Sequence, residues 1–71
     1  MNYYDDKSGN KIGIGSYVIT RTKECGEIVK VESWDEKIYM VVLSKGRTSE
    51  FFPHNLQRIT TEEAMLWKLE Q

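Results

Sequence analysis

Few residues in this chain are equipped for chemistry. Its 71 positions hold one histidine and one cysteine, His54 and Cys25. A zinc site takes four Cys/His-type ligands, or three and a water, so these two cannot supply one unaided. A nucleophilic triad would need His54 as its base with Ser49 or Cys25 as nucleophile. Nothing in their spacing recommends this, and a solvated turn histidine is the simpler reading. "DDKSGN" (5–10) hints at a calcium loop, but its glycine and the distal glutamate miss the required offsets. A turn whose Asp and Asn side chains bond local main-chain amides explains it better. "GIG" (13–15) lacks the third glycine of a phosphate-cradling loop, and a strand follows where a helix would be needed. No catalysis, metal or cofactor is expected.

Side chains suited to binding are more plentiful. Trp34 falls at a strand end just before a turn, where a large ring is only partly buried. Phe51 and Phe52 are strand neighbours, so their rings leave on opposite faces and one alone can enter a core. Tyr3, Tyr4 and Tyr17 can join an outer aromatic surface. Arg21 shares strand parity with Tyr17, and Arg47 with Phe51. Rings interleaved with cations suit a protein-binding hot spot, and equally base stacking with phosphate contacts. The candidate partner-binding residues are therefore Trp34, Phe51, Phe52, Tyr17, Arg21 and Arg47. Outward rings can also simply pack beneath the N-terminal segment or a helix.

The elements that position these groups are short. Segments 16–22, 26–34, 37–44, 47–52 and 57–60 are rich in β-branched and aromatic residues and are separated by turn formers. "KG" (45–46) is a tight-hairpin signal. Pro53 should hold Phe52 extended while Leu56 and Ile59 return to the core. Gly26 stands where a strong bend of the second strand would fall. So few residues cannot form a two-sheet sandwich, whereas curling one sheet buries its apolar face. From Thr60 onward "TTEEAMLWKLEQ" is helix-forming, with Thr60 and Glu63 placed for a capping box. Met65, Leu66 and Leu69 share one arc, predicted to dock on the sheet, with Ala64 and Trp67 pointing away. The fold class is mainly β: a five-stranded antiparallel small barrel over about 12–60 and a short C-terminal α-helix over about 61–70, in one domain.

Composition bounds the partners. Hydrophobic residues at 39% and charged residues at 30% suit a globular chain and not a disordered one. Net charge is −1, with +1 on residues 1–60 and −2 on 61–71, too even to be a nucleic-acid footprint. A lone cysteine, an acidic start and no long apolar run give the expectation of a cytoplasmic protein without membrane attachment. A monomer that binds a protein is expected. The alternative is a nucleic-acid-binding barrel centred on Arg21, Lys23, Lys45 and Arg47.

"GSYVI", "GEIVKV", "YMVVL", the "KG" turn and "FFPHNLQRI" together resemble the small SH3-like barrels, Tudor- and KOW-type modules among them. Length, strand number and terminal helix more closely resemble YorP, an uncharacterised family of phage and prophage proteins. That resemblance spans the whole chain and implies a fold and a phage context, but no activity and no functional residues. "FPHNL" also resembles the Pro-Ser-Asn-Tyr bend of peptide-binding SH3 domains. Pro53 and Asn55 match, Leu56 stands where the groove tyrosine would be, and "TKECG" replaces their long acidic loop. The bend is accordingly read as closure geometry and not as a polyproline groove.

Overall fold

The computed structural model describes residues 3–70; Met1, Asn2 and Gln71, including the first part of the acidic start, lie outside the described residues. Its strands are β1 (Tyr4–Asp5), β2 (Lys11–Ile12), β3 (Tyr17–Ile19), β4 (Cys25–Trp34), β5 (Lys37–Ser44), β6 (Arg47–Phe51) and β7 (Gln57–Arg58). A single 3-10 turn (Pro53–Asn55) precedes β7, and one helix, α1 (Thr61–Leu69), follows it. β1 and β2 form a small hairpin, and the other five strands make one antiparallel sheet in the order β6-β5-β4-β3-β7. The chain is thus mainly β with a short C-terminal helix. β6 and β7 lie at opposite edges and are not paired with each other, so the ladder does not run round into a closed ring.

Strand ends follow local chemistry. β3 stops at Ile19, short of the predicted 22, because Thr20 opens a turn in which its hydroxyl accepts from the Glu24 amide. At the β5–β6 turn Lys45 and Gly46 both take positive φ (53° and 74°), the mirror-image turn that matches the twist of two paired strands. The β4–β5 turn does the same with Asp35 and Glu36 (φ 49° and 65°), although neither is glycine.

Ile12, Val18, Ile28, Met40, Val42 and Leu56 form the core, with Tyr4, Val31 and Phe51 against it. The sheet's inner face is covered by Ile12 of the hairpin and Leu56 of the bend, and no strand is needed to close over it. The register of β4 against β5 slips between Ile28 and Lys30, leaving Val29 as an extra residue. A bulge of this kind bends and twists a strand. The bend therefore falls at Val29 and not at Gly26. Gly26 does different work: a Cβ there would lie 2.5 Å from Val42 Cγ1 and 2.8 Å from the Leu43 carbonyl oxygen, so its absence lets β4 and β5 approach.

Phe52 is extended (φ −72°, ψ 146°) ahead of Pro53, and Leu56 and Ile59 are buried, as expected of the bend. Thr60 and Glu63 form the reciprocal capping box. The docking face of α1 is the reverse of the expected one: Ala64 is buried, whereas Met65, Leu66 and Leu69 are exposed. The cause is the entry geometry. The Ile59 amide still bonds the Tyr17 carbonyl, and the helix caps at the next residue, so no linker is left to rotate it. Residues one turn on from the cap, Ala64 and then Trp67, must face the sheet. Trp67 meets Tyr17 edge-on at 6.2 Å between ring centroids, and Lys68 Nζ sits 4.7 Å from the Tyr17 ring centre.

Candidate functional site: the outer face of the β4–β5–β6 hairpins

Residues opposed across antiparallel strands project to the same face. The register therefore builds the outer face in rows: Trp34 beside Lys37, Glu32 beside Tyr39, Lys30 beside Val41 and Glu50, and Leu43 beside Thr48. The same alternation sends Met40, Val42 and Phe51 inward. Phe52, one residue on from Phe51, lies on the outer side and continues the Glu32–Tyr39 row. Its ring is 5.0 Å from that of Tyr39, and on its other side His54 stacks on it at 5.6 Å, nearly parallel at 6°. Tyr39, Phe52 and His54 are thus one continuous aromatic row, with Trp34 diagonal to Tyr39 on the same face and 61% exposed.

Phe52 is the wall common to two grooves. One is lined by Arg21, Tyr39, Glu50 and Asn55, the other by Tyr4, Lys37, Pro53 and His54. Acids lie beside the row. Lys30 Nζ reaches Glu32 at 3.5 Å. The Glu50 carboxyl is held above its ordinary range, chiefly by a hydrogen bond shared with Glu32, then by partial desolvation and like charge, with Lys30 opposing. Two carboxylates thus converge on the aromatic row with a single lysine between them.

The six residues named from sequence separate accordingly. Trp34, Phe52 and Arg21 belong to this face or its groove, and Phe51 is the ring that packs on the core, half-buried, with its exposed part lining the same groove. Tyr17 lies under Trp67 and Lys68, away from the row. Arg47 is at the β5–β6 turn with inward parity. Of the cations in the nucleic-acid reading, Lys23 and Lys45 share a cleft with Glu24, Glu70 and Trp67, while Arg21 and Lys23 also line one with Lys7 and His54 that holds no acid. Tyr39 and His54 were missed. Tyr39 was legible in the alternation Lys37, Tyr39, Val41 against Ile38, Met40, Val42, although both sets hold apolar residues and so mark the two faces only weakly.

Elsewhere, a cleft of about 750 Å³ runs between Tyr3, Ile14, Tyr17, Arg58 and Thr61. One of its two cations, Lys11, is already bound to Asp5 at 2.7 Å. Cys25 is half-buried; burial pushes its thiol up, with Glu63 and Glu70 adding to the effect, which makes it a poor nucleophile at neutral pH. Among the described residues no group of three or more His, Cys, Asp or Glu converges to hold a metal ion, and no helix is long and apolar enough to cross a membrane.

Comparison with protein-family models, with curated proteins and with solved structures found no match to this chain.

Proposed function

We propose that this chain is a non-catalytic protein-binding module on an SH3-like small-barrel frame, and that it engages its partner through Trp34, Tyr39, Phe52 and His54. For the frame, the supporting features are five antiparallel strands in the order β6-β5-β4-β3-β7 and a single 3-10 turn between the last two. For the function, the observation that carries the reading is the aromatic row itself. Three rings in series, His54 on Phe52 and Phe52 on Tyr39, with Trp34 diagonal to them and 61% exposed, stand on a sheet face left open by the described residues. Large rings ordered against one another offer apolar area at little entropic cost, which is why aromatics dominate binding hot spots.

The test is affinity capture and titration with the identified partner, comparing wild type with Phe52→Ala, Trp34→Ala and, as a control on the helix side, Leu69→Ala. Removing a central hot-spot ring should weaken binding by roughly 2 kcal/mol, about thirtyfold. Leu69→Ala should leave it unchanged. A partner bound equally well by the Phe52 and Trp34 variants would refute the assignment.

A further inference from the structure

Beside the aromatic row the sheet ends in an unpaired strand. The β5–β6 turn has two residues, Lys45 and Gly46, and joins the opposed pair Ser44 and Arg47. In such a hairpin the closing pair exchanges both main-chain hydrogen bonds, and bonded and non-bonded pairs alternate from there. Ser44–Arg47, Val42–Ser49 and Met40–Phe51 are therefore the bonded pairs. Thr48 and Glu50 turn their N–H and C=O groups away from β5, toward the free edge. Both residues are exposed, and no other main-chain bond among the described residues uses them. β6 holds no proline and no bulge, two of the devices that blunt an edge.

We propose that this edge takes an extended, basic peptide segment of the partner as an additional strand, seated against Thr48 and Glu50. The inference rests on the protein-binding reading above and specifies the partner's form and charge. A strand added there places one side chain directly opposite Glu50, about 5 Å away on the outer face. That position faces the Glu50 carboxylate, which has no lysine within ion-pairing distance among the described residues, so it selects a lysine or arginine. The partner side chain two residues along, on the same face, reaches the Phe52 ring and is served by an apolar group. A second copy of this chain fits less well, because pairing β6 with β6 through Thr48 and Glu50 sets each Glu50 diagonally across from its counterpart.

The test uses the whole protein, labelled with nitrogen-15, and two capped heptapeptides, Ser-Val-Thr-Lys-Thr-Val-Ser, which carries valine two residues either side of the lysine on one face, and the same sequence with glutamate for lysine. The lysine peptide should slow amide hydrogen exchange at Thr48 and Glu50 about tenfold, since exchange reports whether those N–H groups are bonded. The glutamate peptide should not. Thr48→Pro, which removes an N–H not used by the β5–β6 ladder, should keep the dispersed spectrum and lose the effect; Glu50→Gln should lose the preference for lysine. Unchanged exchange at both amides with the lysine peptide, or equal slowing by both peptides, overturns the proposal. Shifts confined to Trp34, Tyr39 and Phe52 with the edge amides unaffected also overturn it, while leaving the aromatic surface intact as a binding site. Protection that grows with protein concentration in the absence of peptide assigns the edge to a second copy and overturns it likewise.

Discussion

Asp6 ties together parts of the chain that lie far apart in sequence. Its Oδ1 accepts from the Ser8 and Asn10 amides at 2.8 Å each, closing the β1–β2 turn, and its Oδ2 accepts from the Arg58 amide at 2.7 Å. Burial on its own would raise the carboxyl's pKa, but the three main-chain donors outweigh it and hold the group below its ordinary value. Because the folded value lies below that of the unfolded chain, this contribution is fully present at neutral pH and is lost as the pH falls through the folded value. Asp6→Asn keeps an acceptor for the turn but sets an amide N–H against the Arg58 N–H. It should cost about 1–3 kcal/mol at pH 7 in urea unfolding. The gap from wild type should narrow below about pH 4, where Asp6 of the unfolded chain takes up a proton while the folded group still resists it. A gap independent of pH would show that the carboxylate charge is not what binds. At Gly26 the obstacle is steric. Gly26→Ala drives a methyl into the Leu43 carbonyl, a main-chain atom unable to move aside, and should cost roughly 1–3 kcal/mol in the same assay. A neutral result would mean that β4 and β5 part more readily than their spacing implies.

At the scale of elements, the two hairpin turns differ in how well their residues suit them. Lys45-Gly46 puts glycine at one positive-φ position, whereas Asp35-Glu36 forces a glutamate to φ 65°. Glu36→Gly should therefore raise stability by about 1 kcal/mol in thermal or urea unfolding, while keeping Trp34 in place at the strand end. Destabilisation would mean that the Glu36 side chain compensates the strain. For α1 the docking face makes a paired expectation: Trp67→Ala should cost about 3 kcal/mol, and Leu69→Ala less than about 0.5 kcal/mol. The opposite order would restore the Met65/Leu66/Leu69 face as the docked one. Most of this level was legible in the residues. β5 was read with its observed limits, and the cap and the return of Leu56 and Ile59 followed from local rules. The helix face was not, because apolar spacing states which side chains share an arc, whereas the joint at Ile59 and Thr60 decides where that arc points. The aromatic row was half legible: parity put Phe51 and Phe52 on opposite faces, but which entered the core depended on the pairing Met40–Phe51, a tertiary fact. Asp6's bond to Arg58 spans 52 residues and left no local trace.

For the molecule as a whole, the distribution of charge separates the two binding readings. Polyanion binding depends on cations that act together, since each phosphate neutralised releases counterions and the effects multiply. Here two cations are paired, Lys11 with Asp5 at 2.7 Å and Lys30 with Glu32 at 3.5 Å, and Lys45 lines a cleft that also holds Glu24 and Glu70; the acid-free group is small, with Lys7, Arg21 and Lys23 around one cleft. Arg21 lies by the aromatic groove, Arg47 at the far end of β6 and Arg58 in the cleft with Tyr3 and Tyr17, so the three arginines do not line one groove together. With a net charge of −1, the long-range field gives no compensating attraction. Fluorescence titration with single-stranded oligonucleotides at about 20 mM salt should therefore detect no binding tighter than about 100 µM, the weak end of non-specific association. The stacking surface alone would not suffice, because base–aromatic contacts in such proteins work alongside a positively charged groove that tracks the backbone. Low-micromolar binding with a steep loss on raising the salt would show that cations set apart on the folded surface still act on one strand, and the nucleic-acid reading would then displace the protein-binding one.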